Sequence, residues 1–138
     1  MRQIFVDTFF WLALFNPRDI WHERACAVQT SCADARLVTN DEVLVEFLAG
    51  ISNRGSDLRN TAAKAARAIL DNPNIEVIPQ TRLSFLAGLE RYEQRSDKEY
   101  SLTDCISMQQ MNDRNITEIL THDHHFEQEG FMILLKDD

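Results

Sequence analysis

Residues 3–8 read Gln-Ile-Phe-Val-Asp-Thr. Three apolar, β-favouring side chains in a row, without polar alternation, mark a short strand buried on both faces, the kind found in parallel sheets covered by helices. Asp7 ends the run abruptly, which puts a carboxylate at the carboxyl end of that strand. In open α/β sheets that edge is where ligands bind.

Working outward, the apolar block Phe9 to Phe15 reads as a helix closed at Asn16-Pro17, and Asp19 as the cap of a second helix to about Ala35, with Ile20, Ala27 and Val28 turned inward. Leu37-Val38-Thr39 is a second strand. Asn40 and Asp41 cap a helix in which Val43, Leu44, Phe47, Leu48 and Ile51 recur at helical spacing, ending near Gly55. An alanine-rich helix from Ser56 or Asp57 stops before Asn72-Pro73, and Ile75 to Ile78 forms the third strand. Thr81 opens a helix carrying Leu83, Phe85, Leu86 and Leu89 to about Arg95; after a charged loop, Leu102 to Asp113 is helical again. Ile116 to Leu120 and Phe131 to Leu135 complete the strands, separated by a polar turn. This alternation predicts an α/β fold with a mostly parallel sheet between helical layers and right-handed crossovers.

The chain has 138 residues, 44% of them hydrophobic and 26% charged. At roughly 150 residues per domain, residues 1–138 are expected to form one domain. The three cysteines, Cys26, Cys32 and Cys105, make no C-x-x-C, which argues against a disulfide scaffold or a thiolate zinc knuckle. The stretch up to Phe15 is the only signal-peptide candidate, but Asp7 interrupts it; with no apolar run long enough to span a membrane, the expectation is a cytoplasmic protein. Fourteen basic against 22 acidic residues give a net charge of −8. Phosphate contacts need Lys and Arg, so nucleic-acid binding requires either that cations cancel some carboxylates or that the acidic surface lies away from the substrate.

Four carboxylates stand out by position. Asp7 follows the first strand, and Asp123 lies just past Leu120-Thr121. Asp104 is in the first turn of the helix begun by Ser101, and Glu46 sits between Val45 and Phe47 in a helix that starts at the second strand's end. All four can reach one sheet edge. A helix-cap role for Asp104 and an edge position for Glu46 are the ordinary alternatives. Carboxylates gathered within roughly 4–6 Å raise one another's pKa unless a cation intervenes. Mg²⁺ or Mn²⁺, one or two ions, suits all-oxygen donors, and the implied chemistry is metal-assisted hydrolysis of a phosphodiester.

The segments Phe5-Val6-Asp7-Thr8, Val38-Thr39 through Val43-Leu44-Val45-Glu46, Ser101-Leu102-Thr103-Asp104-Cys105 and Leu120-Thr121-His122-Asp123-His124-His125-Phe126, in this order and over nearly the whole chain, resemble the PIN-domain ribonucleases, especially VapC-like toxins. The resemblance implies a three-layer fold with a central five-stranded parallel sheet. It implies an acidic pocket of Asp7, Glu46, Asp104 and Asp123, and Mg²⁺- or Mn²⁺-dependent cleavage of RNA to 5′-phosphate and 3′-hydroxyl products. It further implies an antitoxin partner and a homodimer. Thr8 and Thr103, beside two of the carboxylates, are expected to hold ligands or water through their hydroxyls. The chain departs from the family's pattern at Phe9, where many members have Asn or Ser.

Other features compete for attention. His122, Asp123, His124 and His125, with His22 and Asp137, loosely follow the H…HD…D order of HD phosphohydrolases, which are all-helical. An aspartyl phosphatase would need a second Asp where Phe9 stands, and a receiver-like pocket a Lys after a late strand, although the chain has only Lys64, Lys98 and Lys136. Arg54, Arg59, Lys64 and Arg67, with Arg91 and Arg95 further on, are candidate contacts to an RNA backbone; the alternative is a solvated helix face. Phe10, Trp11, Phe15 and Trp21 are core residues, or else a face for a second copy or an amphipathic partner. A catalytically silent binding module of the same fold is the rival from another class.

Overall fold

The computed structural model describes residues 1–137. A strand β1 (Gln3–Val6) runs into helices α1 (Thr8–Phe15) and α2 (His22–Ser31), followed by β2 (Arg36–Asn40), α3 (Asp41–Ile51), α4 (Ser56–Asp71) and β3 (Ile75–Ile78). Then come α5 (Arg82–Gln94), α6 (Leu102–Asp113), β4 (Glu118–Leu120), a short α7 (His125–Gln128) and β5 (Met132–Ile133). The five strands pair in the order β3-β2-β1-β4-β5, every pair parallel. The fold is therefore three-layered α/β. Helices α1 to α4 pack in a chain against one another, and α5 pairs with α6. An HD phosphohydrolase architecture, which is helical throughout, is overturned by this sheet.

β1 is the central strand, and Ile4, Phe5 and Val6 are fully buried. From it the chain winds outward through β2 and β3, then returns past the centre to add β4 and β5 on the other side. The strand order therefore reverses between β1 and β4. At such a point the connections leave in opposite directions and open a crevice at the carboxyl ends of the two strands. Asp7 and Thr121 are the first residues beyond those ends.

Two locks fix the helices that border the crevice. Asn40 caps α3, its side-chain oxygen accepting from the Val43 N–H at 2.8 Å, while its amide donates to Ser107 Oγ (3.1 Å) and Gln110 Oε1 (2.8 Å) on α6. One buried side chain thus ties β2, α3 and α6 together. On the far side of α6, Gly88 of α5 lies against Ile106, where an added Cβ would fall 2.2 Å from Ile106 Cγ1 and 3.1 Å from its Cα.

Some boundaries differ from the sequence expectation, each for a local reason. Residues 17–21 form consecutive turns instead of the start of α2: Asp19 N–H donates to the Asn16 carbonyl, and Asp19 Oδ1 accepts from the Trp21 N–H. Ile20 is consequently 91% exposed, and Ala27 also faces solvent. β4 starts at Glu118 because the Ile116 N–H closes the end of α6 on the Met111 carbonyl, with Asn115 at φ 56° turning the chain. The polar turn after β4 contains α7. Phe10 and Trp11 belong to the core, whereas Phe15 and Trp21 are half-buried against it, so the core reading of these aromatics holds.

Gly88→Ala is expected to destabilise the protein. The helix propensity gained by Ala, about 1 kcal/mol, is outweighed by forcing apart α5 and α6, with overpacking costs of roughly 1–3 kcal/mol. Urea denaturation of the two proteins measures the difference; an unchanged or higher midpoint would contradict the close approach.

Candidate active site

The crevice at the β1/β4 reversal is a cavity of about 750 Å³ lined by Asp7, Glu46, Asp104 and Asp123, together with Thr8, Phe9, Ser101, Gln128 and the three histidines 122, 124 and 125. Four different elements deliver the four carboxylates. Asp7 is the N-cap residue of α1, yet its carboxylate makes no cap bond and instead accepts from Thr121 Oγ1 at 3.1 Å, which turns it into the cavity. Glu46 comes from the middle of α3 and is held by Thr8 Oγ1 (2.8 Å). Asp104 sits in the first turn of α6, where the Ser101 and Asp104 side chains and backbones form a reciprocal cap: Ser101 Oγ accepts from the Asp104 N–H (3.0 Å) and Asp104 Oδ2 from the Ser101 N–H (3.3 Å). Asp123 is fixed by the turn after β4, with its N–H donating to Thr121 Oγ1 (3.1 Å) and its Oδ1 accepting from the His125 N–H (2.9 Å).

His125 bridges two of the acids. Its Nδ1 lies 3.5 Å from Asp104 Oδ2 and 3.4 Å from Asp123 Oδ1, buried and without a hydrogen bond. One ligating atom from each of these three residues lies within 4.8 Å of the other two. The His125 ring rests against Tyr100, which is anchored through Glu129 to Arg91 and Arg95.

The electrostatics are unfavourable without a cation. Asp7 is only 4% exposed, and burial, reinforced by the charge on Asp104, raises its pKa to about 7. Burial also raises the Asp104 carboxyl, with the neighbouring Asp123 charge adding to it. Among the described residues, no Lys or Arg ion-pairs with any of the four acids. Oxygen donors in excess of local positive charge fit a hard divalent ion such as Mg²⁺ or Mn²⁺, and the unbonded Nδ1 of His125 is one more donor.

Not every expected site residue comes to the cavity. Thr103 is half-buried on α6 outside the lining; the Asp104 carboxylate is held instead by the backbone N–H of the N-cap residue Ser101, whose hydroxyl accepts from the Asp104 N–H. Arg54 and Lys64 line a different, largely apolar cavity with Phe15, Pro17, Ile51 and Leu58, because α4 packs on α3 away from the strand ends. Arg59 and Arg67 are exposed on the same helix, and Arg59 donates to the Ser52 carbonyl. None of these four borders the acidic cavity. Arg91 and Arg95 are engaged by Glu129. Thr121 is the residue that sequence reasoning missed: a hydroxyl on the first residue past β4 that serves Asp7 and Asp123 together. Its signal was its place, between a strand end and an Asp.

A model of the PIN domain matches residues 4–131. The chain belongs to the PIN domain family. Among solved structures it is similar to VapC20 from Mycobacterium tuberculosis, a toxin that cleaves the sarcin–ricin loop, at 29% identity over 94% of this chain and 96% of that one, with a TM-score of 0.84. The fold is also that of VapBC2 from Rickettsia felis, solved bound to a DNA fragment from its promoter (12% identity, 96% and 97% coverage, TM-score 0.70), and of FitAcB from Neisseria gonorrhoeae (15%, 96% and 96%, 0.65). The chain is thus VapC-like within the family. No curated protein sequence gives a significant match.

Because the native carboxyls of Asp7 and Asp104 hold protons more tightly than in the unfolded chain, the metal-free protein binds extra protons between pH 4 and 7. Its stability therefore falls as pH rises through that window and levels off above it. Asp7→Asn is expected to flatten this profile and raise metal-free stability at pH 8 by on the order of 2–4 kcal/mol, since a tenfold change in proton affinity corresponds to about 1.4 kcal/mol. Thermal melts in EDTA from pH 5 to 8 read this directly. A variant no more stable than the parent at pH 8 would contradict the repulsion.

Proposed function

We propose that the protein is a divalent-metal-dependent endoribonuclease, the toxin of a toxin–antitoxin pair, acting in the cytoplasm as one domain of residues 1–138. The observation that carries this reading is the convergence of Asp7, Glu46, Asp104 and Asp123 from four elements onto one cavity at the sheet's carboxyl edge. The 29% identity to a toxin that cleaves the sarcin–ricin loop supports a structured RNA as the substrate class. A bound Mg²⁺ or Mn²⁺ supplies an activated water and offsets negative charge building on the scissile phosphate.

Each residue then has a part. Asp7, Asp104 and Asp123 hold the ion directly or through water, with Asp7 kept in position by Thr121 and Asp104 by its cap with Ser101. Glu46, gripped by Thr8, faces the cavity and orients the attacking water or completes the ligand set. His125, between Asp104 and Asp123, keeps these two carboxylates apart and aligned. The antitoxin would offer an amphipathic, acidic segment to the apolar cavity of Phe15, Ile51 and Leu58, whose rim carries Arg54 and Lys64. A second copy would cover the exposed Leu83, Leu86 and Tyr92 of α5.

Purified protein is expected to cut a ribosomal stem-loop RNA in Mn²⁺ and not in EDTA. Asp7→Asn and Asp104→Asn are each expected to lose on the order of 10²-fold or more in rate, the scale seen when one charge-stabilising group is removed from a preorganised site. Cleavage that persists in both variants would sink the assignment. Absence of cleavage by a metal-loaded, folded protein would favour a silent binding module.

A further inference from the structure

The three histidines at the cavity are not equivalent. His125 belongs with the carboxylates, but His122 and His124 form a second cluster with Asp137, in which one ligating atom of each lies within 4.8 Å of the other two. His122 Nε2 is 3.7 Å from Asp137 Oδ1. A tetrahedral Zn²⁺ with bonds of about 2.0–2.2 Å needs its ligand atoms only slightly closer than this.

The way the two rings are held supplies an independent pointer. His122 donates from Nδ1 to the Leu135 carbonyl at 2.8 Å, which leaves Nε2 as the basic nitrogen. His124 places its Nδ1 on the Glu127 carboxylate, which frees its Nε2 in the same way. A carbonyl or carboxylate on the second ring nitrogen is the arrangement that orients metal-bound imidazoles and increases their basicity. Trp21 stacks on the His122 ring (4.2 Å between centroids), and Phe9 lies beside it (6.0 Å), so the ring is fixed before any ligand arrives.

We propose that His122, His124 and Asp137 form a second metal site, selective for a nitrogen-preferring ion of the Zn²⁺ class, at the mouth of the acidic cavity and separate from the carboxylate cluster. Two imidazoles are poor ligands for Mg²⁺ and good ones for Zn²⁺, so the two sites sort ions by donor chemistry. Three protein ligands leave one coordination position open to water or to a phosphate oxygen. With two neutral imidazoles and one carboxylate, the loaded site carries one net positive charge beside a cavity lined by acids. The inference goes beyond the proposed ribonuclease activity and does not depend on it.

The test is a calorimetric titration of the full chain with ZnCl₂, in millimolar MgCl₂ and without RNA. One Zn²⁺ per chain is expected to bind. His124→Ala and Asp137→Asn, both at exposed positions, are each expected to weaken binding about tenfold or more, and Glu127→Ala by roughly 10–100-fold, the usual cost of removing a group that orients a metal-bound imidazole. Asp7→Asn and Asp104→Asn are expected to leave Zn²⁺ affinity within about twofold of the parent. Circular dichroism of each variant shows whether the fold is kept. Absence of Zn²⁺ binding by the parent, binding indifferent to His124→Ala, or binding lost in Asp104→Asn would overturn the proposal, the last by assigning the ion to the carboxylates. None of these outcomes bears on RNA cleavage in Mn²⁺.

Discussion

Negative charge confined in a partly dry crevice is the constraint around which this molecule is arranged. A parallel sheet whose strand order reverses at its centre must open at the carboxyl ends of β1 and β4, and the first residue beyond β1 is an aspartate that is 4% exposed. Burying an ionised carboxylate is costly unless it is paired or hydrogen-bonded. Asp7 receives one side-chain hydroxyl from Thr121 and faces the charge of Asp104, so its surroundings oppose its ionised form. A chain selected for stability alone would place an apolar or neutral residue there. Retention of charge at the cost of native stability is the mark of a site whose energetics are completed by something that binds.

Such a site works only if its parts cannot relax away from one another, and the surrounding structure sees to this. Glu46 and Asp104 lie on helices that would drift apart under mutual repulsion if each depended on its own packing. Asn40 prevents it by capping α3 with its oxygen while donating to Ser107 and Gln110 of α6, all three residues buried. From behind, the Gly88 contact lets α5 press directly on Ile106 and hold α6 against the sheet. The hydroxyls of Thr8 and Thr121 and the backbone N–H of Ser101 then set the carboxylates of Glu46, Asp7 and Asp104. Backbone topology selects the location, and a few polar side chains set the geometry within it.

How much of this could be read in advance depended on the range of the interaction. β1, β2, α3 and α6 were legible because unbroken apolar runs and local caps depend on neighbours in sequence: Asn40 and Ser101 announce helix starts that the structure keeps. The four acids were legible as a set because Asp7 and Asp123 follow strand ends, Asp104 a helix start, and Glu46 lies on the helix that begins directly at the end of β2, and topology brings such positions together. Thr103 and Thr121 show the limit. Both are threonines beside an acid, yet one lies on the flank of α6 and the other reaches across 114 residues to Asp7, a difference decided by register between β1 and β4. The position of the basic residues around α4 relative to the acidic cavity was illegible for a similar reason. Their spacing defines a helix face, but only the packing of α4 on α3 determines which cavity that face borders.

The distribution of charge bears on how a chain of net charge −8 would meet the anionic substrate proposed for it. Strong bidentate pairs on the surface, such as Arg2 with Glu118, and the Arg91–Glu129–Arg95 cluster consume cationic side chains that would otherwise be available to phosphates. Arg54 and Lys64 border an apolar cavity, and Arg59 and Arg67 face solvent on α4. The acidic cavity holds no Lys or Arg in its lining, and attraction for the proposed phosphodiester substrate would have to come from cations bound there. In the proposed ribonuclease, substrate binding and the chemical step would be linked through the same occupancy: the residues that make the empty crevice repel a phosphate would be those that make the loaded one attract it.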